Sequence, residues 1–100
     1  MPEQQPRIEI FSAPGCGRCG RALQLAQQVL AELAQEALVP HASLRLVNVV
    51  EELDYAVSLG LRATPGIAID GVLVFTALPD RTALREAILG RGGAGAETPA

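Results

Sequence analysis

The chain has 100 residues, 49% of them hydrophobic and 19% charged, which is the composition of one globular unit and excludes a disordered tail protein. Its 8 basic residues, all arginine, against 11 acidic ones leave a formal net charge of −3, so no basic field exists to hold a nucleic-acid backbone. Aromatics at 3% with no tryptophan exclude large stacking platforms, and no run approaches the roughly 18 apolar residues of a membrane span.

Residues 1–6 are polar and proline-punctuated and read as a flexible lead. They lack a charged region followed by an apolar stretch, so the expected location is the cytoplasm, where thiols are kept reduced. Arg7 to Phe11 is β-branched and aromatic, a first strand with Ile8 and Ile10 inward. Glu9, on its other side, reads as a solvated strand acid rather than a proton relay. After the turn Ser12–Gly15, the stretch Cys16 to Leu38 repeats Cys19, Ala22, Ala26, Val29, Leu30 and Leu33 at spacings of three and four. That pattern predicts an amphipathic helix, ended by Pro40.

Ala42 to Val49 is a second strand whose nearly continuous apolar run predicts cover on both faces. Glu51, Glu52 and Asp54 open a second helix, where acids favour the positive end of the dipole. Val50, Leu53, Ala56 and Val57 are its expected buried stripe and Gly60 its stop. Gly66–Ile69 and Val72–Phe75 flank Asp70-Gly71, a hairpin signal because a type I′ turn needs positive φ at both central residues. Asp80 caps a last helix with Ala83, Leu84, Ala87 and Ile88 on one face and Gly90 as its stop. Residues 90–100 read as a flexible tail, leaving 7–89 as the domain. The order β-α-β-α-β-β-α implies an α/β fold: parallel first strands from the crossover, an antiparallel hairpin, hence a four-stranded mixed sheet flanked by helices.

Cys16 and Cys19 are the only cysteines, too close in sequence to staple distant parts of the chain. They lie where a strand hands over to a helix. Unpaired N–H groups and the dipole of the first helical turn favour a thiolate there, and Arg18 and Arg21 add positive charge. Cys16 is therefore the expected nucleophile, with a pKa below the ordinary value of about 8.5. Cys19, one turn deeper on the apolar face, is the expected resolving thiol, and Gly17 leaves the sulfurs open to a partner.

Three other readings compete. Cys19 alone, on the core face of the helix, could be a small core hydrophobe. A metal or iron–sulfur cluster could bridge two chains through the same thiols, since one chain offers only two Cys and His41 against the four ligands zinc wants. Gly15, Gly17 and Gly20 spell the dinucleotide pattern G-x-G-x-x-G, but Asn48 and Val49 stand where its acid should end the second strand.

Cys16-Gly17-Arg18-Cys19 after a first strand, with Ala63-Thr64-Pro65 entering a hairpin, resembles the thioredoxin superfamily, closest to its small, glutaredoxin-sized members. The resemblance spans Arg7 to Leu89. It implies a thioredoxin-like fold, a cis peptide at Thr64-Pro65 receiving a substrate's extended backbone, and thiol–disulfide exchange with protein or small-molecule disulfides, re-reduced by an unidentified reductant or reductase. Phe11, Ala13, Pro14 and Thr76 would border the contact surface. No organic cofactor and no resident metal are called for, because the cysteine pair is the redox centre, and the expected state is a monomer. The chain departs from thioredoxin in having Gly15 where an aromatic precedes the first cysteine, and Arg18 where proline stands between the pair. Thr76–Asp80 has no glycine pair of the kind with which glutaredoxins hold glutathione.

Overall fold

The computed structural model describes residues 5–97, with side-chain environments up to residue 90. The elements run β1 (Arg7–Ser12), α1 (Cys19–Gln35), β2 (Ser43–Asn48), α2 (Leu53–Ser58), β3 (Gly66–Ile69), β4 (Val72–Phe75) and α3 (Arg81–Glu97). They form one four-stranded sheet in the order β2-β1-β3-β4. β1 and β2 are parallel, while β1–β3 and β3–β4 are antiparallel. The expected mixed sheet and element order hold. Residues 1–4 of the expected lead and 98–100 of the expected tail lie outside the described residues. Pro6 belongs to the domain, since it is buried and its carbonyl accepts the Ser43 amide at 3.0 Å.

The pleat of β1 sorts its side chains to two cores. Ile8 and Ile10, with Ile67 and Ile69 of β3, face α1 and α3 and meet Ala22, Ala26, Val29, Leu33, Leu84 and Ile88. Each large aliphatic fully removed from water here contributes about 1.5–3 kcal/mol. Phe11, Val47, Ala68 and Ala56 of α2 form a smaller core on the opposite face. Arg81 and Arg85 of α3 pair with Glu32 of α1, and Arg85 also with Glu36 just past its end. The hydrogen bond from Arg85 holds the Glu36 carboxyl below its usual range.

Turn chemistry follows the sequence closely. Asp70 and Gly71 adopt φ of 53° and 83°, both positive as a type I′ turn demands. Gly60 takes φ 90° just beyond α2, as a helix stop should. The Asp80 carboxylate accepts the Ala83 amide at 2.8 Å, capping α3.

Four expectations are corrected. The first helix ends at Gln35, not Leu38, because Ala37 turns left-handed at φ 61° and the Leu38 amide reaches back to the Leu33 carbonyl. That is a Schellman closure without its usual glycine. β2 is not covered on both faces: the crossover leaves it at the sheet edge, with only Val47 buried and Leu46 52% exposed. In α2 only Ala56 is buried, while Val50, Leu53 and Val57 of the predicted stripe are exposed. One turn and a half of helix turns only Ala56 and the half-buried Tyr55 onto the sheet. α3 continues through Gly90 to Glu97. A glycine inside a helix costs about 0.5–1 kcal/mol relative to alanine but does not interrupt the hydrogen-bond ladder.

Candidate functional site

Cys16 and Cys19 are joined by a disulfide, with their Cα atoms 5.6 Å apart. The sequence reading put Cys16 in the first helical turn. It lies instead in the loop ahead of α1, whose first residue is Cys19, and its amide donates to the Ala13 carbonyl at 3.1 Å. The bond to Cys19 nevertheless ties the Cys16 sulfur to the helix start, where the first amides have no intrahelical acceptor. The two sulfurs differ in environment. Cys16 is half-buried and lines a surface depression of about 250 Å³ together with Gly17, Arg18 and Thr64. Cys19 is 6% exposed, and its Sγ lies 3.9 Å from the Phe11 carbonyl oxygen, which can accept an S–H when the pair is reduced.

Thr64 and Pro65 enter β3 through a cis peptide bond, and Thr64 faces the dithiol depression while Pro65 is buried. Five of the six sequence-selected residues thus converge: Cys16, Gly17, Arg18 and Thr64 line one depression, with Cys19 behind it. Arg18 is exposed at the helix N-cap position. Ala13 borders a neighbouring cleft, whereas Phe11, expected to border the contact surface, is fully buried in the smaller core. Pro14 and Thr76 are exposed.

Glu9 is the clearest miss. It is 6% exposed, not solvated, because α2 covers the face of β1 from which it projects. The Tyr55 hydroxyl donates to its Oε1 at 2.5 Å and Arg45 donates to its Oε2 at 2.8 Å. Arg45 also donates to Glu52 at 3.0 Å, which sits just before α2. Donating to the Glu9 carboxylate pushes the Tyr55 pKa up, with burial and the carboxylate charge acting in the same direction. The two carboxylates together raise Arg45 further above its usual value. Strand alternation placed Glu9 opposite Ile8 and Ile10, but nothing local revealed that a second layer would cover it.

A strand, a Cys-x-x-Cys loop at a helix start, and a cis-proline strand facing the outer sulfur define a thiol–disulfide oxidoreductase of thioredoxin fold. The comparisons agree. Residues 6–89 match the model of a thioredoxin domain. A probable thioredoxin of Methanothermobacter marburgensis is 32% identical over 82 residues, covering 82% of this chain and 91% of that one. A thioredoxin of Methanocaldococcus jannaschii is 33% identical over 82 residues, with the same coverage of 82% and 91%. Among solved structures, a protein disulfide oxidoreductase from Aeropyrum pernix superposes with a TM-score of 0.69 at 25% identity, over 86% of this chain and 37% of that one. The chain belongs to the thioredoxin family.

The bridging metal-carrier alternative gains no support from these relatives. Among the described residues, no group of three or more His, Cys, Asp or Glu gathers that could hold a metal ion. No helix of the described residues is long and apolar enough to cross a membrane.

Proposed function

We propose that the chain exchanges electrons with protein disulfides through the Cys16–Cys19 pair, with Cys16 as the attacking sulfur. In the reducing direction, the Cys16 thiolate attacks one sulfur of the substrate disulfide. The substrate S–S bond breaks, a Cys16 mixed disulfide forms, and the departing substrate thiolate takes up a proton. Cys19 then loses its proton and attacks the Cys16 sulfur. The second substrate thiol leaves, and the chain ends as the intramolecular disulfide with two electrons transferred. The Arg18 guanidinium and the free amides at the start of α1 favour the anionic Cys16 sulfur that opens this sequence. Gly17 keeps the approach open, and Thr64, set before Pro65, offers backbone to an extended substrate segment. The partners are protein disulfides, with a separate reductant or reductase to restore the dithiol; the working unit is a monomer in the cytoplasm.

The observation that carries this reading is the asymmetry of the bonded pair: Cys16 opens on a depression, whereas Cys19 is 6% exposed behind it. Alkylation followed by mass spectrometry across a series of thiol/disulfide buffers tests it. Cys16 is expected to label first, and Cys19→Ser to accumulate a mixed disulfide through Cys16. Preferential labelling of Cys19 would reverse the roles.

A further inference from the structure

The sheet has two outer strands, and only one of them is blunted. β4 is 4 residues long, and its pairing with β3 carries a register shift at Ile67/Ala68, an irregularity of the kind that spoils an edge for further pairing. β2 runs 6 residues in unbroken register with β1. It has no proline and no lysine, and its one charged side chain, Arg45, is drawn to Glu9 and Glu52. None of the usual guards stands on this edge.

The parity of β2 says which backbone groups are left over. The Ser43 amide donates to the Pro6 carbonyl and the Val49 amide to the Ser12 carbonyl, so the odd-numbered residues turn their N–H and C=O to β1. Leu44, Leu46 and Asn48 turn theirs outward, where the sheet has no further strand. The Asn48 carbonyl accepts the Glu51 and Glu52 amides. The amides of Leu46 and Asn48 and the carbonyls of Leu44 and Leu46 meet no other segment among the described residues.

The same strand of a second copy supplies the match. Placed antiparallel about a two-fold axis at Leu46, the two Leu46 residues exchange both bonds, and each Asn48 amide reaches the Leu44 carbonyl of the other copy, about four hydrogen bonds in all. The Leu46 side chain, 52% exposed, then lies against its counterpart, with the half-buried Leu44 diagonal to it on the same face. Neighbouring registers are worse. An axis at Arg45 sets two guanidinium-bearing residues opposite each other, and an axis at Val47 carries Leu44 against Val50, beyond the strand. None of the residues lining the dithiol depression lies on β2, so both dithiols stay open and each chain still works by itself.

We propose that β2 is a self-association edge: two copies pair antiparallel through Ser43–Asn48, centred on Leu46, and join their sheets into one. A contact of this size is small, so the pairing is reversible and follows concentration.

Sedimentation of the oxidised full chain tests it. The weight-average mass should approach that of two chains at about 1 mM and fall to that of one chain at about 5 µM. Leu46→Lys, at an exposed position, should weaken the association about tenfold or more while leaving Tm and disulfide reduction unchanged, because it sets two like charges across the axis. Leu46→Glu should do the same, and mixing the two variants should restore pairing between unlike copies only. Amide hydrogen exchange of the unmodified chain reads the register directly. Leu46 and Asn48 should slow at the higher concentration, while Leu44, whose facing Asn48 carbonyl is already engaged, should not. A chain that stays single at about 1 mM overturns the proposal, as does a pair that persists in Leu46→Lys. So does a lysine–glutamate mixture that fails to pair, or a Leu46 amide that exchanges equally fast at both concentrations.

Discussion

Replacing Tyr55 with phenylalanine isolates the one hydroxyl that satisfies Glu9 Oε1. The ring keeps its place, tilted against Phe11 with centroids 5.7 Å apart and beneath the Arg45 guanidinium at 5.9 Å. What disappears is the 2.5 Å hydrogen bond to a carboxylate whose side chain is 8% exposed. Water has little access there, and Arg45 is engaged by Oε2 and by Glu52. A hydrogen bond to a charged group contributes about 1.5–3 kcal/mol net, so a loss of about 2 kcal/mol is expected. For a chain of this size that lowers Tm by about 10 °C or slightly more.

The pH dependence gives a second check. Tyr55 has its pKa raised in the folded state, first by the hydrogen bond to Glu9. Its stabilisation is fully present below the ordinary tyrosine value of about 10. Above that value the unfolded chain sheds the phenolic proton while the folded chain retains it, so stability falls as pH climbs through the raised value. Urea unfolding of the oxidised protein, run near neutrality and again in strong alkali, should show the gap between Tyr55→Phe and the parent closing with pH. A gap below about 0.5 kcal/mol near neutrality, where a buried charged acceptor should cost several times that, would refute the argument. So would a gap that widens in alkali.

Arg18→Gln removes a charge beside the attacking sulfur without altering the backbone. It should lower the reduction potential by roughly 15–30 mV, the equivalent of about half to one pKa unit of thiolate stabilisation, read by titration against glutathione buffers. Asp80→Ala deletes the cap on Ala83 and should cost about 1 kcal/mol in urea unfolding. Ala37→Gly relieves an alanine held at φ 61° and should stabilise by about 0.5–1 kcal/mol, because the left-handed penalty of about 1–2 kcal/mol outweighs the added freedom of an unfolded glycine. A destabilised Ala37→Gly in the same assay would show that the Ala37 methyl is held by contacts that outweigh its backbone.

Short-range chemistry was readable along the chain. The Asp70-Gly71 turn, the Asp80 cap, the three-and-four spacing of α1 and a cysteine pair at a strand–helix junction all depend on neighbours within a few residues. The turn and the cap stayed where local rules placed them, while the first helix begins only at Cys19, leaving Cys16 in the loop ahead of it. Burial of whole faces did not obey those rules. Leu46 and Val57 have the apolar character of core residues, yet one sits on an edge strand and the other on a helix of only 6 residues, so neither meets a covering layer. Glu9 has the character of a surface residue, yet α2 closes over it and supplies Tyr55 from 46 positions along the chain. The dithiol's chemistry is local; the cleft beside it and the buried acid beneath α2 exist only because distant segments pack across the sheet.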